Sequence, residues 1–302
     1  MDRIEVEVRR ERDSMGEIAV PASALWGAQT QRALQNFPAS GLKMPAPLLH
    51  ALGLIKYAAA HTNAALGDLP GDIATAIQDA ALEVAQGRHD AQFPLDLFQT
   101  GSGTSTNMNL NEVIAARAAQ LRGAPVSPND HVNMSQSSND SIPTAIHLAA
   151  ALLLRDALQP ALTELSQALA LRAAEFAALP KTGRTHLMDA MPITLGQEIG
   201  AWQAQIDAAR ERLRDVEPRL HALAQGGTAV GTGINAHPEF SARFCAELSK
   251  ATGLSFPAAG AGVRTLMSLK IAKEITGRKR DRVFSYQRYL AVLSEGTEPL
   301  RQ

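Results

Sequence analysis

The stretch from Asn133 to Leu154 constrains this chain most. A run of small polar residues, Asn133-Met-Ser-Gln-Ser-Ser-Asn-Asp140, passes directly into an apolar segment with helical spacing from Ile142 onward. Asp140 or Ser141 can cap that helix, and Pro143 suits a first turn, where a missing N–H costs nothing. Free backbone N–H groups and the positive end of the helix dipole then face Ser137, Ser138 and Asn139, a setting suited to a carboxylate. A cap alone would be ordinary. The argument goes further because the design recurs along the chain.

Between Phe93 and Asn109 lies a glycine and hydroxyl loop that leads into a helix expected over Asn111 to Leu121. Gly101 and Gly103 allow close approach of the backbone to a ligand, and Ser102 and Thr104 supply hydroxyls. The segment lacks the lysine of a phosphate-binding P-loop. Gly183 to Pro192 reads as a third polar loop, and Gly226 to Pro238 as a fourth. Between them, helices are expected from about Pro47, over Gly71 to Gln86, from Ile142 to about Ala177 with a kink at Pro160, and from Thr194 to Leu223. Residues 1 to 41 are turn-rich and read as short strands or irregular coil.

Geometry then adds a constraint. A helix of ~35 residues rising ~1.5 Å per residue is about 50 Å long, so the loops before and after the Ile142 helix lie at opposite ends of one rod. If both serve one small ligand, different copies of the chain supply them, as in an antiparallel helical bundle.

Composition narrows the classes. The formal net charge of −1 over 302 residues gives no electrostatic reason to expect nucleic acid or an anionic membrane as partner. The basic run Arg278 to Arg282 reads as a solvated face. Cys245 is the single cysteine, so no disulfide closes within the chain, and a reducing, cytoplasmic setting is expected. Charges break the apolar runs, so no membrane span is expected, and Met1 to Glu7 has no signal-peptide core.

The stretches Thr100 to Asn109, Ser135 to Asp140, Gly183 to Asp189 and Gly226 to Gly233, taken in that order, resemble the motifs of class II fumarate hydratases, members of the fumarase/aspartase superfamily. The resemblance starts at Arg12 to Gly16 and Leu25 to Gln31 and runs to about Leu254. It implies a mainly α long-helix bundle with a small mixed N-terminal domain, divided as 1–140, 141–254 and a divergent tail 255–302. It also implies a cofactor-free, metal-free homotetramer that interconverts fumarate and L-malate by anti addition or loss of water.

Carried over position by position, Ser102, Gly103, Thr104, Ser137, Ser138, Asn139 and Thr185 bind substrate carboxylate, and His186 activates or accepts the water. The chemistry fits those residue types. Neutral donors aimed at a carboxylate stabilise the negative charge that spreads into it when a neighbouring proton leaves, and an imidazole exchanges protons near neutrality. His186 also favours the fumarase branch, because aspartase-like members usually carry glutamine there; Asn235 to Glu239 points the same way.

Two departures qualify the resemblance. Where the family writes His-Pro-Asn-Asp for a second anion site, this chain has Ser127, Pro128, Asn129 and Asp130, so a plain turn is expected. The family's loop of the form Gly-Ser-Ser-x-Met-Pro-x-Lys-x-Asn-Pro, which carries its proposed base, has no counterpart in the 302 residues. The expectation is a fumarase-type chain with an incomplete or rearranged C-terminal half, impaired alone. An aspartase-like ammonia lyase and a catalytically silent assembly subunit are the alternatives. Val263, Leu266, Met267, Ile271 and Ile275 keep helical spacing up to Gly277.

Overall fold

Apolar residues at helical intervals become two packed helices, α2 (Ala46–Leu66) and α3 (Gly71–Ala85), in a computed structural model that describes residues 7–257 and the pairs Lys273–Glu274 and Phe284–Ser285. Leu49, Leu52, Ile55, Ile73, Ile77 and Val84 are buried, as their spacing requires. The described chain divides into two compact units, Met1–Ile146 with Ala222–Gln302, and His147–His221.

In the first unit the N-terminus forms an antiparallel hairpin, β1 (Val8–Asp13) with β2 (Gly16–Pro21), and then α1 (Ala28–Asn36). Sequence spacing alone did not reveal α1, whose buried residues are only Ala28, Thr30 and Ala33. Its first-turn N–H groups are satisfied from far along the chain by Glu112 of α4 (Thr104–Arg122). Helix α4 also starts seven residues before the expected Asn111, at the glycine loop itself. Asn107, Asn109 and Asn111 hid it, because buried asparagines break the apolar pattern.

Helix α2 packs on α3, α4 and α8 (Phe240–Thr252), and at Gly53 it lies directly against the α3 backbone. A Cβ there would come within 2.8 Å of the Ala85 N and 2.9 Å of the Ala81 O, both rigid backbone. Gly53→Ala therefore forces the helices apart and is expected to cost about 2 kcal/mol, read as a lowered urea midpoint. An unchanged midpoint would show that the crossing is looser than described.

Helix α5 (Ser138–Leu153) begins earlier than expected, which makes Asp140 its third residue and puts Pro143 inside the helix rather than in its first turn. Ser137 is the capping residue: its Oγ accepts from the Asn139 N–H at 3.2 Å, and Asp140 Oδ1 accepts from the Ser137 N–H at 2.9 Å. The two bonds form a capping box with aspartate in the role of glutamate.

The second unit is a helical hairpin with a β-hairpin at its turn. A π-type turn (Leu154–Leu158) joins α5 to α6 (Gln159–Glu175), and Pro160 sits at the start of α6. Proline has no N–H to offer the preceding turn, and the wide turn just before it absorbs the missing bond, at the place where the kink was expected. Helix α7 (Leu195–Leu220) runs back against α6: Ser166 Oγ donates to Asp207 Oδ1 at 2.8 Å, and the Gly196 N–H donates to the Phe176 O.

Between α6 and α7, the segment expected to be a polar loop is instead an antiparallel pair, β3 (Pro180–Thr185) and β4 (Met188–Thr194). Its two-residue turn, His186-Leu187, has both residues at positive φ, 51° and 61°. Such turns usually advertise themselves with asparagine or glycine, and neither is present here.

Of α6 only Ser166 is buried, and of α7 only Gly196 and Ile199, so Leu158, Leu165, Leu171 and Trp202 stay exposed. One helical run among the described residues, Ser138–Glu175, is long and apolar enough to cross a membrane by length and composition, with a mean hydropathy of 1.3. This corrects the expectation that charges interrupt every such run, since Ser141 to Leu154 contains no Asp, Glu, Lys or Arg.

Near the end of the chain, β5 (Lys273–Glu274) pairs antiparallel with β6 (Phe284–Ser285). Lys273 and Glu274 therefore belong to a strand rather than to the helix expected there. The apolar residues that suggested that helix, and the basic run Arg278 to Arg282, lie outside the described residues.

Candidate active site

The N-terminus of α5 opens onto a cavity of about 530 Å³ within the first unit. Four segments line it: α4 through Asn107, a short π turn (Pro128–Val132) through Asn129 and Asp130, the loop Asn133 to Ser138, and the Gly226 to Asn235 loop through Thr228 and Ala229. The wall is dominated by hydroxyl and amide groups. Asn107 and Thr228 are buried, and Asn107 Oδ1, Gln136 Oε1 and Thr228 Oγ1 have no hydrogen-bond partner among the described residues.

Asp140 ties the two loops together. Its carboxylate is 1 % exposed and accepts from the Ser137 N–H at 2.9 Å, the Gly226 N–H at 3.1 Å and the Thr228 N–H at 2.8 Å. Burial pushes this carboxyl's pKa up, while the three N–H groups and the Lys56 charge pull it down. Thr228 has φ of 56°, a left-handed conformation rare for a β-branched residue, and the Asp140 bond helps to hold it there. Asn139 is fastened to the same loop, its Nδ2 donating to the Ala229 O at 2.8 Å.

The sequence-expected residues fall in three places. Ser137, Ser138, Asn129 and Asp130 line the cavity together. Ser102, Gly103 and Thr104 do not line it and form a separate corner at the start of α4, where Ser102 Oγ and Thr104 Oγ1 share a hydrogen bond of 2.9 Å. Gly103 has φ of 70°, and a Cβ there would press against Ile142 of α5 at 3.0 Å, so the corner is seated on the helix that carries the mouth. Thr185 and His186 belong to the second unit, at the exposed tip of the β3–β4 hairpin.

The Ser127 to Asp130 segment opens the π turn, with Ser127 as its N-cap. Ser127 Oγ accepts from the Asp130 N–H at 3.0 Å and donates to Asp130 Oδ2 at 2.9 Å. The serine is thus engaged by the turn itself.

Two contributors escaped the sequence reading. Lys56 is fully buried in α2 and donates from Nζ to Asn133 Oδ1 at 2.9 Å. Asn107 Nδ2 reaches both Asn133 Oδ1, at 3.2 Å, and Ser138 Oγ, at 3.3 Å. The available signal was a lone lysine inside the apolar run Leu52 to Ala60.

Long helices with two polar loops, 133–138 and 226–235, gathered at one helix N-terminus define a mainly α protein with a mouth suited to an anion. Residues 16–265 match the family model described as Lyase, and the chain belongs to that family. It is 53% identical over 270 residues to a protein of Xylella fastidiosa named fumarate hydratase class II, covering 89% of this chain and 57% of the relative. Identity is 56% over 257 residues to fumarate hydratase class II 1 of Pseudomonas aeruginosa, covering 83% of this chain and 55% of that protein. Among solved structures, the class II fumarase from Schistosoma mansoni superimposes with a TM-score of 0.78 at 42% identity, over 82% of this chain and 53% of that one. The chain thus spans little more than half the length of the relatives it matches.

Proposed function

We propose that this chain is a fumarate hydratase-type lyase that binds fumarate and L-malate at the α5 mouth. One observation carries the reading: Ser137 and Ser138 lead a helix N-terminus into a polar cavity, in a chain 53% and 56% identical to proteins named fumarate hydratase class II. Backbone N–H groups and hydroxyls there hold a carboxylate without a counter-cation, so the charge that spreads into it when a neighbouring proton leaves is stabilised. Ser102, Gly103, Thr104 and Asn139 extend the donor set, and Thr185 with His186 completes it from another copy of the chain. His186 is the proton-exchanging group for the hydroxyl that leaves. Ser127 to Asp130 serves as a structural turn, because its serine is already bonded to Asp130.

The exposed apolar faces of α6 and α7 support self-association as a homotetramer, each apolar side covered by another copy. A membrane is the weaker reading of the Ser138–Glu175 run, since Asp140, Arg155, Asp156, Glu164 and Arg172 lie along it. The reading places the protein in the cytoplasm, without cofactor, metal or nucleic acid.

The test is conversion of L-malate by the purified chain, followed as ultraviolet absorbance of fumarate. Slow release is expected, with His186→Asn lowering it about a hundredfold or more. Ammonia from aspartate with malate untouched would assign an ammonia lyase. Fumarate binding without turnover would assign an assembly subunit.

A further inference from the structure

Lys56 stands in the middle of α2, between Ile55 and Ala58, and is 0% exposed. Taking an ammonium out of water is costly, so its place in a core calls for partners that use it. The partner is Asn133, whose Oδ1 accepts from Lys56 Nζ, and the connections run on to the cavity wall. Asn133 Oδ1 also accepts from Asn107 Nδ2, the same amide that reaches Ser138 Oγ, and Asn133 Nδ2 donates to the Gln136 O at 3.3 Å. One buried cation thus braces the loop ahead of α5 and the first hydroxyl of that helix. Asn107, Gln136 and Ser138 all face the cavity, where Asn107 Oδ1 and Gln136 Oε1 await a partner.

We propose that Lys56 is a positioning residue of the α5 mouth: its ammonium fixes Asn133 and, through Asn107, Ser138, and it sets a positive charge behind the wall that a bound carboxylate meets. The identity of the ligand rests on the fumarate hydratase reading; the hydrogen-bonded chain does not.

The consequence is a dependence on pH. Burial lowers the pKa of Lys56 to about 7, against the opposing pull of Asp140 on α5. On the elements packed around α2, the following groups are engaged elsewhere. Glu247 of α8 is bonded to Tyr57 and Lys250 and lies 3.6 Å from His61; Glu83 of α3 holds Arg117 and His89; Glu112 of α4 holds α1; in the π turn, Asp130 holds Ser127 and His131 accepts from the Ser127 N–H. The charge behind the wall is present below about pH 7 and fades above it.

Two readouts test this on the full chain and on Lys56→Met. In the ligand-free protein, the backbone amide resonances of Ser137 and Ser138 should step near pH 7 and lose the step in Lys56→Met. Fumarate, added as probe, should bind about tenfold more weakly at pH 8 than at pH 6 in the unmodified chain, and weakly at both in the variant. Amides that do not step, a step that survives in Lys56→Met, or equal fumarate affinity of the two proteins at pH 6 would overturn the proposal. If the amides behave as expected and fumarate binds at neither pH, the dicarboxylate reading fails while the positioning role stands. Should Lys56→Met not fold, the Nζ resonance of Lys56 in the unmodified chain must titrate together with the amides; separate midpoints would overturn the proposal equally.

Discussion

Asp140→Ala should destabilise the first unit by about 4 kcal/mol, the largest effect expected of any single change outside the apolar core. Three backbone N–H groups from two loops, those of Ser137, Gly226 and Thr228, would lose their acceptor in a setting that is 1 % exposed. Lys56 would also lose the opposing charge of Asp140, and a buried charge without a partner is costly. Thr228 would keep its left-handed backbone without the bond that helps to hold it. A urea titration followed by circular dichroism measures the loss. Asp140→Asn should fall between, since an amide offers one acceptor oxygen and turns a donor toward an N–H. The double variant Lys56→Met with Asp140→Ala should recover about 1–3 kcal/mol of the single loss, because both charges are then gone. Strict additivity of the two single changes would mean that they do not act on each other.

Glu112→Ala should release α1 from the first unit, with a loss of about 3 kcal/mol confined to that region. Helix α1 has Gly27 as its N-cap, no side-chain cap bond and no acidic residue in its first turn. Glu112 replaces all of these. Its carboxylate accepts from the Gly27 N–H at 2.9 Å, the Gln29 N–H at 3.0 Å, the Thr30 N–H at 3.1 Å and Thr30 Oγ1 at 2.5 Å. A negative charge on a helix N-terminus adds favourable interaction with the dipole. Alanine would leave those donors without their acceptor, and few apolar contacts remain to hold a nine-residue helix. Hydrogen exchange should show lost protection over 28–36 with α2 and α3 unchanged; protection that persists in α1 would refute the assignment.

How much of this was legible depended on whether a signal was local. Helices α2 and α3 followed from the intervals between Leu49, Leu52, Ile55, Ile73 and Ile77, since burial of one face imposes them. Helix α4 was half legible, because its first turns bury asparagines that pair with Gln92, Asn133 and Ser138 rather than with lipid-like neighbours. The β3–β4 hairpin was read as a loop: its turn residues, His186 and Leu187, carry none of the usual chemistry of a tight turn. Of the candidate site, Ser137 and Ser138 were singled out by their place before a helix start, and they line the cavity, whereas Ser102 and Thr104 lie at the start of α4. Lys56 was missed because a single lysine in an apolar stretch looks like an interruption until its burial is known.

By itself the sequence determined the helical class, the order of the polar motifs and membership of a lyase lineage, because hydrophobic period and motif spacing are properties of neighbours along a chain. Only the tertiary structure decided which polar groups share a wall. Asp140 finds Gly226 and Thr228, Glu112 finds Gly27, and Lys56 finds Asn133 across separations of 77 to 88 residues. The strength of each pairing comes from exclusion of water, which no single segment achieves before the others pack around it.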